Sequence, residues 1–413
     1  MNGSQPQTSG GALEGLHVLD LAGPMGVYCG KLLADLGADV IRVEPPDGGP
    51  VRRIGPFFED TPGVERSLFH WHFNANKRGI TLDLEKSGGA ALFKRLAAKS
   101  DVVIETFKPG WLGGLRLSYG DLAAEQAGIV VASITPFGQT GPYSHYEGEE
   151  LIGQAAGGLL WMCGWPDRPP VMMGGGPALH QASTEAAAGA LIALEMREHT
   201  GTGQHLDVSV QACMPLTLMT SMPQYYTLGE LRKPRVGDFH ASALNGLFKC
   251  SDGYGDFRFG GRLGQWEGVV AWMDSARMAE DLGEERFKDP AYRREADVYH
   301  HIDEVFQRFI VRFTREEAVD AAQRLGMWSG AVHTVEDMLS DPQLAARNFF
   351  AEVEHDNLGR SFTYPGPPFM MSETPIHRPR RAPLLGEHNA DIYESELGLS
   401  KGEIESLRTS GVI

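Results

Sequence analysis

The sequence predicts an α/β fold: an open, Rossmann-like, mostly parallel sheet with helices on both faces, followed by a smaller α+β region. Three observations carry this. Short apolar runs of strand character alternate with amphipathic or alanine-rich helical patterns from residue 16 to residue 210. Glycine and proline punctuate the junctions between them. Beyond about Leu228 the pattern turns to aromatic alternation and charged helices.

Taken in order, residues 1–12 carry no apolar pattern and read as a disordered lead. They lack a basic region followed by an apolar one, so they do not read as a secretory signal. "LHVLDLAGPMGVYCGKLLADLGADVIRVEPP" then predicts a strand over Leu16–Leu21, broken by Gly23-Pro24. A helix over Tyr28–Leu36 ends at Gly37, and a second strand covers Asp39–Glu44. That βαβ unit implies a parallel pair. Its glycines, at 23, 26 and 30, do not make GxGxxG, which argues against a dinucleotide fingerprint. Strands are predicted at 79–84, 101–107, 128–135 and 205–210, and helices at 87–100, 120–127, Glu150–Leu160 and Ser183–His199. "GLFKCSDGYGDFRFGG" (246–261) predicts a hairpin, and helices follow at Gln265–Leu282, Ala296–Phe313, 314–326 and 334–350. Two amphipathic helices close the chain. The expected domains are 13–225, a small domain over 226–330, and a return to the large domain over 331–413.

With 413 residues, 42% of them hydrophobic and 22% charged, the chain can bury a large core. A net charge of −17 argues against a nucleic-acid partner but leaves room for an anionic ligand on a local basic patch. No apolar stretch approaches the roughly 20 residues that span a bilayer. The four cysteines have no CxxC spacing and the fourteen histidines no HExxH, so neither a disulfide framework nor a metal site is expected. The expected compartment is the cytoplasm.

Seven segments in order carry a resemblance: "LLADLGADVIRVEPPDGGPVRRIGP", "NANKRGITLDL", "DVVIETFKPG", "ASITPFGQTGPYSHYEGEELIGQAAGGLL", "REHTGTGQHLDVSVQ", "DPQLAARNFF" and "APLLGEHNADIYESELGLSKGEIESLRTSGVI". Together they cover nearly the whole chain and resemble the family III CoA-transferases, which include formyl-CoA and carnitine CoA-transferases. The resemblance implies a large Rossmann-like domain built from both chain ends, a small inserted domain, and an interlocked dimer. It implies CoA or acyl-CoA as substrate, without a metal. An Asp carboxylate would attack the donor thioester, and the exchange would run through covalent intermediates.

Site residues follow from the same resemblance. In "NANKRG", Asn76, Lys77 and Arg78 (with Asn74) are expected to face phosphate; the bland alternative is a solvated turn. Phe107 and Phe137 match positions lining the CoA groove, with strand-end packing as the alternative. Pro45 and Thr135 stand where some relatives are basic, leaving Arg42 and Lys108 as nearby cations to compensate. Gly260 and Gly261 match a mobile glycine loop. The nucleophile's slot falls in "PPVMMGGGPALHQASTEAAAG" at Leu179, beside His180 and Gln181, and holds no carboxylate. Glu185 reads as a first-turn acid after a Ser183 or Thr184 cap, and Glu150 as an acid at its own helix N-terminus. Glu149-Glu150 replaces the His-Asp of family racemases, so racemisation is not expected. No catalytic residue is assigned. The expected role is the non-catalytic subunit of a heteromer with an Asp-bearing paralogue, of the type seen in succinyl-CoA:benzylsuccinate CoA-transferase. The alternatives are an active transferase, alone or paired with itself, with a displaced carboxylate, and an acyl-CoA lyase or isomerase using the same groove.

Overall fold

The computed structural model describes residues 11–218, 221–229, 242–376 and 379–413. Most of the expected N-terminal lead, and the start of the expected small domain, lie outside them.

Six strands form one parallel sheet: β1 (His17–Asp20), β2 (Asp39–Glu44), β3 (Arg78–Thr81), β4 (Val102–Glu105), β5 (Val130–Thr135) and β6 (His205–Ser209). Their order is β3-β2-β1-β4-β5-β6, so the winding reverses between β1 and β4. β1 to β5 are buried on both faces along most of their length, which is why they read as continuous apolar runs, while the edge strand β6 is partly exposed. On one face Leu19, Ile41, Val103 and Val131 pack with Leu92 and Phe93 of the Ser87–Ala97 helix. The same core takes in Tyr393, Ile404 and Ile413, so the chain's last segment closes over its first strands. On the other face the Pro177–Thr200 helix lies against β5, β6 and the Val27–Asp35 helix. Its buried stripe is mostly alanine (Ala178, Ala182, Ala186, Ala190), and Gly189 lets it approach closely: a Cβ there would sit 2.8 Å from Leu206.

This helix starts at Pro177 rather than at the expected Ser183. Gly175 and Gly176 supply left-handed φ values of 86° and 71°, and proline is preorganised for the first helical position. Glu185 is therefore more than two turns into the helix, not in its first turn. Ser183 is no cap; its hydroxyl donates to the Met25 carbonyl (3.2 Å).

The chain divides into two compact units. The larger takes residues 1–160, 172–229 and 343–413, and the smaller takes 161–171 and 230–342. The return to the large unit thus falls at Gln343, where the sequence reading put it at 331. The small unit holds an antiparallel meander of β7 (Asn245–Lys249), β8 (Tyr254–Arg258) and β9 (Trp328–Ala331). Phe248, Phe257, Phe306 and Phe309 form its core, the last two from the amphipathic Ala296–Ile310 helix. Sequence reading left 351–376 unassigned; part of it forms, in the large unit, the hairpin of β10 (Phe350–His355) and β11 (Arg360–Pro365).

Candidate functional site

A winding reversal leaves the loops after neighbouring strands diverging, and ligands of such sheets bind at the strand C-termini there. A crevice of about 620 Å³ opens at that point. Gly23 and Pro24 follow β1, Glu44 and Pro45 close β2, Leu82 and Leu84 follow β3, and Thr106 and Phe107 follow β4. The Phe107 ring stacks on Trp111, centroids 4.1 Å apart and 25° from parallel. Trp111, four residues on, was not singled out from sequence. On the other side of Phe107 lies a smaller cavity of about 320 Å³, lined by Met25, Lys108, Pro136, Tyr146 and Glu147. Lys108 is exposed and paired with Glu147. Phe137 stands edge-on to Tyr143 and Tyr146, at 6.0 Å from each.

Arg42 lines the larger crevice and is 2% exposed. Its Nη1 donates to Asp20 Oδ1 (3.1 Å) and to the Ala22 carbonyl, while its Nε has no hydrogen-bond partner among the described residues. Lys77 lies behind it, fully enclosed: Nζ donates to Asp20 Oδ2 (2.6 Å), the Val27 carbonyl (3.0 Å) and Asn74 Oδ1 (3.1 Å). Burial pushes the Lys77 ammonium down to about 8, against the pull of Asp20. Gly30 makes room for this pair, since a Cβ there would lie 2.5 Å from Asp20 Oδ2.

The rest of "NANKRG" is committed likewise. Asn76, at φ 66°, donates to Asp35 Oδ1 (2.8 Å) and accepts from the Arg380 amide (2.7 Å). Arg78 forks onto Asp39 (2.8 and 2.5 Å) and also meets Glu396. It is the first residue of β3, at the end of the strand away from the crevice. The three head groups expected to face phosphate each meet a carboxylate of this chain instead. Gly260 and Gly261 lie in the small unit, between β8 and the Gln265–Asp274 helix, and Gly261 takes a left-handed φ of 67°.

The nucleophile slot is built around the start of the Pro177–Thr200 helix. Its free N–H groups need acceptors, and no residue of its own first turn is acidic. Glu150 supplies the acceptor from the Glu150–Ala156 helix: its two oxygens take the amides of Ala178 and Leu179, both at 3.0 Å. Glu150 therefore caps a helix other than its own. Gln154 Nε2 donates to the same carboxylate (2.6 Å), and its amide also meets both backbone groups of Met173 (2.9 and 3.0 Å). The glycine loop between Met173 and Pro177 is thus clamped at both ends.

In the slot itself the His180 ring packs against Tyr28 (4.9 Å) and Phe73 (5.6 Å). Burial pushes its pKa down, with Glu150 opposing. His72 beside it is pushed down to about 4 by burial, with Lys31 and His180 adding to the effect. Both rings are neutral at neutral pH. Gln181 turns aside to Glu185 (2.8 Å). His72, Phe73 and Tyr28 carried no signal in sequence; they are apolar-stripe positions that only the fold brings here. Among the described residues no cluster of three or more His, Cys, Asp or Glu could hold a metal ion, and no helix is long and apolar enough to cross a membrane.

The chain matches the family model described as CoA-transferase family III over residues 13–389. It is 36% identical over 404 residues to the succinyl-CoA:(R)-benzylsuccinate CoA-transferase subunit BbsE of Thauera aromatica, covering 96% of this chain and 97% of the relative. It is 33% identical to a succinyl-CoA–D-citramalate CoA-transferase of Chloroflexus aurantiacus, covering 97% and 98%. Among solved structures, a CAIB/BAIF family protein from Brucella suis superposes with a TM-score of 0.83 at 31% identity, covering 93% of this chain and 99% of that one.

Proposed function

The chain belongs to CoA-transferase family III, and from that premise we propose that it is a subunit of an enzyme moving CoA between carboxylic acids. The donor is succinyl-CoA and the acceptor an aromatic or dicarboxylic acid such as benzylsuccinate, a reading supported by the printed activities of its relatives. This chain is the non-catalytic subunit, and an Asp-bearing paralogue supplies the reacting carboxylate. The complex works in the cytoplasm.

One observation carries the subunit assignment: the helix start that would hold the nucleophile presents His180, its ring tilted against the aromatic rings of Tyr28 and Phe73. The chemistry explains why that matters. When CoA waits on such an enzyme, its sulfur is bonded to the carbonyl carbon of an enzyme carboxyl group. An imidazole can accept an acyl group, but it offers no carbon that could hold the thiol. We assign the crevice beside Phe107 and Trp111 to the CoA nucleotide, with Arg42 Nε and Lys108 as the cations nearest it and Phe137 along the second wall. Lys77 and Arg78 are scaffold in this reading.

Glu150 favours a second reading, an active transferase with a displaced carboxylate, because its oxygens lie 3.0 Å from the slot's backbone. Both are held by amides, which argues for a cap. The purified chain, given succinyl-CoA and a panel of acids, is expected to transfer no CoA until an Asp-bearing paralogue is added. Turnover by the chain alone, with hydroxylamine trapping an acyl group on Glu150, would install the second reading in its place.

A further inference from the structure

A polar row runs across β4, β5 and β6, starting at the residue before the crevice's Thr106 and Phe107. Glu105 ends β4, Ser133 is its register partner on β5, and Asp207 is the partner of Ser133 on β6. Paired residues of parallel strands point to the same face, so the three side chains stand in line. His205, two residues before Asp207, shares that face; its Nε2 lies 2.9 Å from Ser133 Oγ, and Tyr119 stacks on its ring at 12° from parallel.

Each end of the row holds a backbone amide. Glu105 Oε2 accepts from the Phe107 N–H at 2.6 Å, and both oxygens of Asp207 accept from the Gln139 N–H, at 2.9 and 3.0 Å. Those amides belong to the two turns that carry Phe107 and Phe137. Glu105 is buried, with the Ser133 hydroxyl and the Phe107 amide as its hydrogen-bond partners and no cation beside it among the described residues. Burial, with Asp207 adding to it and the Ser133 and Phe107 hydrogen bonds opposing it, raises its carboxyl to about 7, so it changes charge near neutral pH. The groups facing it from β6 are Asp207 and His205, itself pushed down by burial against the pull of Asp207.

The row can be ordered in two directions. With Glu105 ionised, His205 Nε2–H donates to Ser133 Oγ and the Ser133 hydroxyl donates to the carboxylate. With Glu105 protonated, its O–H donates to Ser133, and Ser133 donates to a bare Nε2, the ring proton now on Nδ1. The two orders differ by one proton, taken up at the carboxyl, and by the tautomer of His205.

We propose that Glu105, Ser133, His205 and Asp207 are positioning residues: the first three share a proton along the row and hold the Phe107 turn, Asp207 holds the Phe137 turn at its far end, and together they shape the crevice from behind. The row's bearing on CoA rests on the functional reading above; its bearing on the two turns does not. The test is amide hydrogen exchange by mass spectrometry on peptides covering 105–112 and 137–143, with the Ala296–Ile310 helix as internal reference. Corrected for intrinsic rate, protection at 105–112 should rise about fivefold from pH 6 to pH 8 as the stronger, charged acceptor forms. Glu105→Gln keeps an acceptor oxygen and should match wild type at pH 6 without the rise, and Ser133→Ala should blunt it. An undiminished rise in Glu105→Gln overturns the proposal, as does unchanged exchange at 105–112 in both variants. Succinyl-CoA affinity, measured in parallel, should follow the same pH dependence and lose it in Glu105→Gln. If wild type binds no succinyl-CoA, the functional reading falls while the exchange data still decide the row.

Discussion

Replacing Glu150 with alanine separates a helix cap from a nucleophile. The carboxylate takes the Ala178 and Leu179 amides at 3.0 Å each and the Gln154 side chain at 2.6 Å. An ordinary cap lost to alanine costs about 0.5–2 kcal/mol, and a negative charge at a helix N-terminus contributes roughly 0.3–1 kcal/mol more. Glu150 serves two amides at once but is half-buried, so water recovers part of the loss. The expected destabilisation is about 2–3 kcal/mol. Urea unfolding followed by circular dichroism reads it as a lower midpoint, with hydrogen exchange faster at 174–184 than at the Ala296–Ile310 helix. Glu150→Gln keeps one acceptor oxygen and should lose about half as much. A Glu150→Ala chain as stable as wild type would refute the cap, and so would a fully stable Glu150→Gln chain whose only loss is in transfer.

Lys77→Met should destabilise the chain by about 3–5 kcal/mol, because it strips one of two cations from the buried Asp20. The same variant, where still folded, should bind succinyl-CoA within about threefold of wild type; a phosphate ligand would lose tenfold or more. Acid should weaken the fold from about pH 6.5 downward. Burial holds His70 at about 3 and His72 at about 4, so each takes up a proton in the unfolded chain well before it does so when folded. The contribution of the two rings is full above pH 6.5 and by pH 5 each costs about 2 kcal/mol, of which Glu105, relieved of its buried charge as pH falls below about 7, offsets roughly half the sum. Glu44 acts in the same direction at lower pH. Burial opposes its ionisation, but Arg42 and Arg52 outweigh it and hold the carboxyl at about 2, so its contribution fades from about pH 4.5 toward 2. A urea midpoint that stays flat between pH 7 and pH 5 would contradict the two histidines.

The parallel sheet was legible because its strands are buried on both faces. Apolar runs such as Val102–Glu105 and Val130–Thr135, each bounded by turn residues, leave little else for the chain to do. That Leu179, His180 and Gln181 include no carboxylate is read from the sequence without coordinates. What escaped was anything decided by a partner distant in sequence. The ion pairs of Lys77 and Arg78 in "NANKRG" are of this kind, since Asp20 and Asp39 lie 57 and 39 residues away in sequence. The role of Glu150 at a helix 27 residues downstream escaped for the same reason. The early start at Pro177 was hidden by Ser183 and Thr184, residues that imitate a cap but lie inside the helix.

The closing of Tyr393, Ile404 and Ile413 over Leu19 ties the ends of the sequence into one core. Backbone bonds join them as well, the Asp83 amide donating to the Val412 carbonyl at 2.7 Å. For a chain made from its N-terminus, this sets an order of events. The sheet's first strands wait with an uncovered face while more than 300 residues follow, whereas the small unit, outside 161–171, is contiguous in sequence and can condense as soon as it emerges. Long-range closure of this kind is slow and leaves sticky intermediates. Substitutions in residues 392–413 should therefore lower the soluble yield before they touch the chemistry.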